Sequence, residues 1–167
     1  TDGVYQLYTA KHLYWFAGLV NGTISGLSQD TAANAVLCAD ITINQDVTDT
    51  SGLQAWMPVG TQGKPYTGSF DGQGHTIGGL YFDNTTTDYV GLFGYIGRNG
   101  SVSDIGIVDS YFNGSDCVGG VCGHHSGTIT NCYNIGTVSG DGDVGGLCGY
   151  NDNGIIANCY NIGTVSG

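Results

Sequence analysis

The residues able to do chemistry in this 167-residue chain are four histidines, six cysteines and fourteen acidic residues, every one of them aspartate. His124 and His125 are adjacent. Neighbours in a strand point to opposite faces, so the two are badly placed to share one ion. Tyr150-Asn151 stands near the corresponding place further on, so the pair does not recur, and turn or surface histidines are the expectation. Asp71 and His75 belong to the string FDGQGHTI. There a tight turn, with Asp71 accepting from backbone N–H groups, is a simpler reading than catalysis. Asp141-Gly142-Asp143, with Asp116 near the matching place earlier, offers oxygen ligands in a glycine turn and is a candidate calcium site. The glycine-aspartate nonapeptide of calcium-binding β-rolls is not repeated, so a solvated acidic turn competes with it. No other cofactor is expected.

Catalysis finds little support. A glycoside hydrolase needs two carboxylates about 5–9.5 Å apart across the scissile bond. Asp104 and Asp109 are close in sequence but fall on different stretches. A lyase needs a base and cations to neutralise a uronate, and the repeat region holds one basic residue, Arg98. No G-x-S-x-G, P-loop or H-E-x-x-H string occurs. No catalytic residue is therefore assigned.

The elements that must hold these groups come from repetition. Asn131–Gly140 and Asn158–Gly167 are the same ten residues, NCYNIGTVSG, 27 residues apart. VGGVCG (Val118–Gly123) and VGGLCG (Val144–Gly149) precede the two copies, and VGLFG (Val90–Gly94) with GSVSDIGI (Gly100–Ile107) is a looser one. A period of this length means stacked supersecondary units. Thr128-Ile129-Thr130-Asn131-Cys132 alternates polar and apolar, the mark of a strand with one buried face. No repeat holds a helical stretch of 10–12 residues, which argues against helical solenoids. Short strands divided by glycine and asparagine turns form the coils of a parallel β-helix, each about 4.8 Å above the last.

Stacking then places the other residues. Cys122 aligns with Cys148, and Cys132 with Cys159, one coil apart. Cα atoms about 4.8 Å apart allow a disulfide, but parallel Cβ vectors leave the Cβ atoms about as far apart, beyond the usual ~3.8 Å. Reduced, inward thiols acting as small core residues are favoured over bridges. Cys38 and Cys117 have no obvious partner. Tyr133 and Tyr160 share one repeat position and should form a ladder. Each follows an inward cysteine, so alternation turns it outward, where it is a candidate ligand platform.

The N-terminal part differs. Thr9 can cap a helix over 9–21, with Leu13, Phe16, Ala17 and Val20 on one face and Asn21-Gly22 as the stop. Such a helix would cover the open end of the coils. The expected layout is a single domain: a cap over about 1–30, first coils and an insertion over about 31–88, and repeats over 89–167. Gly167 closes a repeat with no capping helix after it, so further repeats or a partner are expected there. The net charge of −11, against Lys11, Lys64 and Arg98 alone, disfavours nucleic acid and anionic membranes. No apolar run is long enough to span a bilayer.

VGLFG, VGGVCG and VGGLCG, each followed by a G-T/S-I/V strand, resemble GLUG-motif repeats, and Ser126–Gly140 does so most closely. Tyr66–Leu80 resembles the coil that precedes such repeats, and Lys11–Asn21 their N-terminal helix. The resemblance implies an all-β, right-handed parallel β-helix of the kind found in adhesin-like surface proteins and in non-catalytic regions of immunoglobulin-A-cleaving metallopeptidases. It implies an extracellular or cell-surface adhesion or scaffold module, with a host or cell-surface glycan or protein as partner. The repeat itself brings no catalytic residue. The alternatives are a fragment of a carbohydrate-active β-helix enzyme and an accessory domain of a larger surface protease.

Overall fold

A computed structural model describes residues 3–167. The chain winds as a parallel β-solenoid with five sheet columns. The longest column stacks six strands, one per coil: Val4–Leu7, Asn34–Leu37, Ser69–Asp71, Ser101–Ser103, Thr128–Thr130 and Ile155–Ala157. A second stacks Ile41–Thr42, Thr76–Gly78, Gly106–Val108, Tyr133–Asn134 and Tyr160–Asn161. A third stacks Tyr81–Asp83, Tyr111–Asn113, Thr137–Ser139 and Val165–Ser166. Phe93–Ile96, Cys122–His125 and Cys148–Asn151 form the fourth, and Val118–Gly119 with Val144–Gly145 the fifth. Each named strand pairs in parallel with its counterpart on the next coil.

The register makes each buried position a column. Ala35, Phe70, Val102, Ile129 and Ile156 lie one above another, as do Phe82, Phe112, Val138 and Val165. The corners are built from residues that tolerate a left-handed backbone. Asp104, Asn131 and Asn158, at equivalent places on three coils, have φ of 55°, 55° and 53°. A short polar side chain makes that conformation cheap, and Asn131 Nδ2 also donates to Asp104 Oδ1 at 3.0 Å.

The capping helix spans Ala10–Asn21, with the Thr9 hydroxyl accepting from the His12 N–H and Gly22 closing it at φ 72°. Leu13, Phe16, Ala17, Leu19 and Val20 are buried, the face expected from spacing plus one residue. Phe16 packs on Tyr66 and Phe70, and Phe93 lies beyond both. The cap region holds more than a helix: Val4–Leu7, ahead of it, is already the first strand of the longest column, paired with Asn34–Leu37. The insertion after Thr42 is held by Trp56, which is buried and whose Nε1 donates to the Gly91 and Leu92 carbonyls at 3.2 Å. At the other end the core is open on one side. Ile156 is 39% exposed where Ile129, one coil below, is fully covered.

One core column changes character. Ile41, Ile77 and Ile107 are followed by Asn134 and Asn161. Asn134 is fully buried; its Nδ2 donates to Asn161 Oδ1 at 2.8 Å, and its Oδ1 accepts from the Gly136 N–H at 3.1 Å. Burying an amide without partners is costly, and here both ends are met. Asn134→Ala should therefore lower stability by about 1–3 kcal/mol, because it strands the Gly136 N–H and the Asn161 amide. Asn161→Ala, in the half-covered last coil, should cost less; chemical denaturation of both variants measures the difference.

Candidate functional site

The ionisable groups are mostly spent on the architecture. Asp71 Oδ1 accepts from the Gln73 N–H at 2.8 Å, the turn role expected of it. His75 pairs instead with Asp40, at 3.1 Å, across the sheet from the coil below. Asp40 also accepts from the Thr76 N–H, and these bonds, the backbone one first, hold its carboxyl below the usual range.

The structure puts His124 and His125 in the strand Cys122–His125 and not in a turn, facing opposite sides: His124 is the outward, surface residue expected, and His125 is not. His125 points inward, above Ile96 and below Asn151, and is fully buried. Neither of its ring nitrogens has a hydrogen-bond partner. Gly154 closes over the ring, since a Cβ there would fall 2.5 Å from Cε1. Burial, and then neighbouring His124, lower its pKa from 6.5 to about 4. Two imidazoles on opposite faces cannot hold one ion.

The candidate calcium residues meet only in part. Asp116, Asp143 and Cys117 bring one ligand atom each to within 4.8 Å of one another, and Asp141 is not among them. Asp141 contributes its backbone N–H to the turn, donating to the Ser115 carbonyl, rather than its carboxylate to the cluster. Asp116 Oδ1 is engaged by the Asp143 and Cys117 N–H groups at 2.7 and 2.8 Å, which lower its pKa. Burial, with the nearby carboxylates of Asp116, Asp143 and Asp88, pushes the Cys117 thiol up to about 12. Calcium takes oxygen ligands, and a protonated thiol is a poor one. The group caps a corner.

All six cysteines are free thiols. Cys122 lies in register with Cys148, and the Cys132 N–H points at Cys159 Sγ at 3.4 Å. Burial is the largest cause raising the pKa of Cys122, and it pushes Cys132 up to about 12. These two thiols stay protonated near neutrality, as core residues and not nucleophiles.

What remains outward and unspent is aromatic. Tyr133 and Tyr160 stack with ring centroids 5.2 Å apart and planes 5° from parallel. That spacing exceeds the roughly 3.5–4 Å of face-to-face contact, so the rings overlap like roof tiles and keep part of each face open. Gly106 lies under Tyr133, and a Cβ there would collide with the phenol ring. The missing side chain lets the ring lean back over the preceding coil. Tyr160 is 53% exposed. Tyr81 and Tyr111 form a similar pair at 5.7 Å, beside Val47, Thr48 and Thr50 of the insertion.

A third aromatic column escapes the sequence reading. Tyr95, His124 and Tyr150 occupy one outward register position on three coils. Tyr95 and His124 stack at 4.1 Å, His124 and Tyr150 at 5.1 Å, and Tyr89 abuts the first pair at 5.5 and 6.1 Å. The signal is present in the string: Phe93-Gly94-Tyr95, Cys122-Gly123-His124 and Cys148-Gly149-Tyr150 are the same tripeptide position, with histidine in place of tyrosine once.

Residues 114–139 and 140–166 each match the GLUG motif. The coil holding Val90 and Phe93, before the first match, lies outside those matches but is in register with them. Halomucin of Haloquadratum walsbyi is 37% identical over 111 residues, 66% of this chain. A protein of Evansella cellulosilytica provisionally named as a Gly-rich membrane protein is 32% identical over 83 residues, 48% of this chain. The chain spans 1% and 10% of the length of these two relatives. A Bacteroides ovatus protein of known crystal structure, provisionally named an immunoglobulin A1 protease, superposes on 98% of this chain and 58% of its own, with a TM-score of 0.58 and 21% identity. That likeness establishes the fold. Among the described residues, no helix is long and apolar enough to cross a membrane.

The buried histidine gives a measurable acid response. With its folded pKa below the unfolded value of 6.5, the unfolded chain binds the proton first. Stability is full above pH 6.5 and falls as pH drops toward 4, by up to ~3 kcal/mol. His125→Ile, which continues the Ile96 column, should flatten melting temperature against pH over that window, as followed by circular dichroism.

Proposed function

We propose that this chain, with its two GLUG repeats, is a non-catalytic adhesion or scaffold module of an exported surface protein, holding a ligand against its outward tyrosines. The observation that carries the reading is the Tyr133–Tyr160 ladder. Two rings are kept in register by the backbone, Tyr133 half-buried and Tyr160 exposed, and the first is given room by Gly106. A rigid coil stack presents such rings without the entropy cost of ordering them on binding. The names of the two relatives, a halomucin and a Gly-rich membrane protein, support an extracellular or cell-surface location. The small share of those relatives that the chain spans supports further repeats or domains beside it in one polypeptide. The reading requires neither calcium nor another cofactor.

A second reading, an accessory domain of a larger surface protease, draws on the name given to the Bacteroides ovatus protein. It puts the chemistry in another domain and leaves the role of this module the same: to position or to hold.

Purified module should bind saturably to at least one member of a panel of surface glycans and matrix proteins, and release no sugar from the glycans. Tyr133→Ala with Tyr160→Ala should weaken that binding by about tenfold or more, the scale of an aromatic hot spot. Sugar release would overturn the non-catalytic reading. Binding untouched by the double substitution would take the ladder out of it.

A further inference from the structure

The fourth sheet column carries a second aromatic surface, and its surroundings differ from those of Tyr133 and Tyr160. Tyr95, His124 and Tyr150 run along the solenoid as one stack, and Tyr89 stands edge-on at one side as a low wall. Beyond Tyr89 lies a cleft of about 410 Å³ that Tyr89 shares with Met57, Pro58, Phe82, Thr87 and Asp88. On the opposite side, each strand of the column runs into a polar corner. Arg98, Ser126, Asp152 and Asn153 line a cleft of about 340 Å³ there. The face is therefore a stack of three rings running along the solenoid axis over three coils, with one cleft on each flank in the strand direction.

The polar corner has donors and acceptors left over. Arg98 is exposed, and among the described residues it makes no ion pair, although Asp152 lines the same cleft. Asp152 Oδ1 accepts from Asn153 Nδ2 at 2.9 Å, which leaves its other oxygen open. A guanidinium offers a fork of donors and a carboxylate accepts several hydrogen bonds. Alternating hydroxyls beside an apolar ring face would satisfy both. The charge balance selects further. One cation faces one anion in this cleft, on a chain of net charge −11, so the field gives an anionic ligand nothing to approach. The polar corner and the shallow ring strip suit the hydroxyls and C–H faces of a sugar, and the apolar cleft beyond Tyr89 lies on the far flank from Arg98 and Asp152.

Resting on the reading of the chain as a binding module, we infer that the strip Tyr89–Tyr95–His124–Tyr150 with Arg98 and Asp152 is a site for a neutral oligosaccharide. The sugar lies across the rings along the strand direction. Its C–H face rests on the exposed ring of Tyr150, the end of the stack, since His124 is covered by a ring on either side, and its hydroxyls reach Arg98 and Asp152. Tyr133 and Tyr160 lie on a different column and are no part of this site.

The test titrates the whole chain with cellohexaose, chitohexaose and, as the anionic arm, oligogalacturonate, by isothermal calorimetry. A neutral hexasaccharide should bind saturably. Tyr150→Ala and Arg98→Ala should each weaken it by about tenfold, and Tyr160→Ala should leave it unchanged. Tyr150 is an exposed residue of the last coil, so its removal should spare the fold, and a melting curve checks this. Tyr150→Phe, which keeps the ring, should retain most of the affinity. Loss through Tyr160→Ala with Tyr150→Ala silent would overturn this site while upholding the module as a sugar binder. Preference for oligogalacturonate would overturn the neutral ligand. No binding of any of these sugars, beside capture of a matrix protein, would overturn the site and leave the adhesion reading standing.

Discussion

Every feature of this chain depends on one constraint: the parallel hydrogen-bond ladder that sets each coil about 4.8 Å above the last. A residue in such a stack has its own counterpart as its nearest neighbour. Side chains must then tolerate a copy of themselves, or of a close substitute, at that distance. Aliphatic columns such as Val102–Ile129–Ile156 do so by dispersion, tyrosines by offset stacking and asparagines by amide-to-carbonyl bonds. Cysteine does so because it is small.

The same rule makes charge expensive. Like charges repeated at this spacing repel, so the chain puts acidic groups where backbone N–H groups point at them. Asp116 is held by Asp143 and Cys117 N–H, and Asp40 by Thr76 N–H. Asp116, which reads in isolation as a candidate cation ligand, also braces a corner of the fold. Asn131 on Asp104 shows the alternative, in which an amide replaces one charge of the column. Aromatic rings face no such penalty and gain from being repeated, so the proposed recognition falls to them.

The fold was legible because repetition is a statement about space. The 27-residue offset put Cys132 with Cys159 and Tyr133 with Tyr160 before any coordinate, and Thr9 and Gly22 bounded the helix by local chemistry. Less was legible where counterparts differ. Ile96, His125 and Asn151 share a column but no chemistry, so nothing in the string turned His125 inward. Val4–Leu7 has no repeat copy to betray it as the first strand, and it pairs across the intervening helix.

The sequence alone determined the type of unit, its period, which residues share a column and which end carries a cap, because these follow from periodicity and from capping and turn preferences confined to a few neighbouring residues. Only the tertiary structure decided which columns lie side by side around the coil, and so which groups meet. It joined Asp116 to Asp143 and left Asp141 out; it set Tyr89 against Tyr95 and His124, and Arg98 opposite Asp152. The physical reason is that stacking is fixed by repeat spacing, whereas lateral neighbours depend on how sharply each corner bends, and that angle is set by packing across the core.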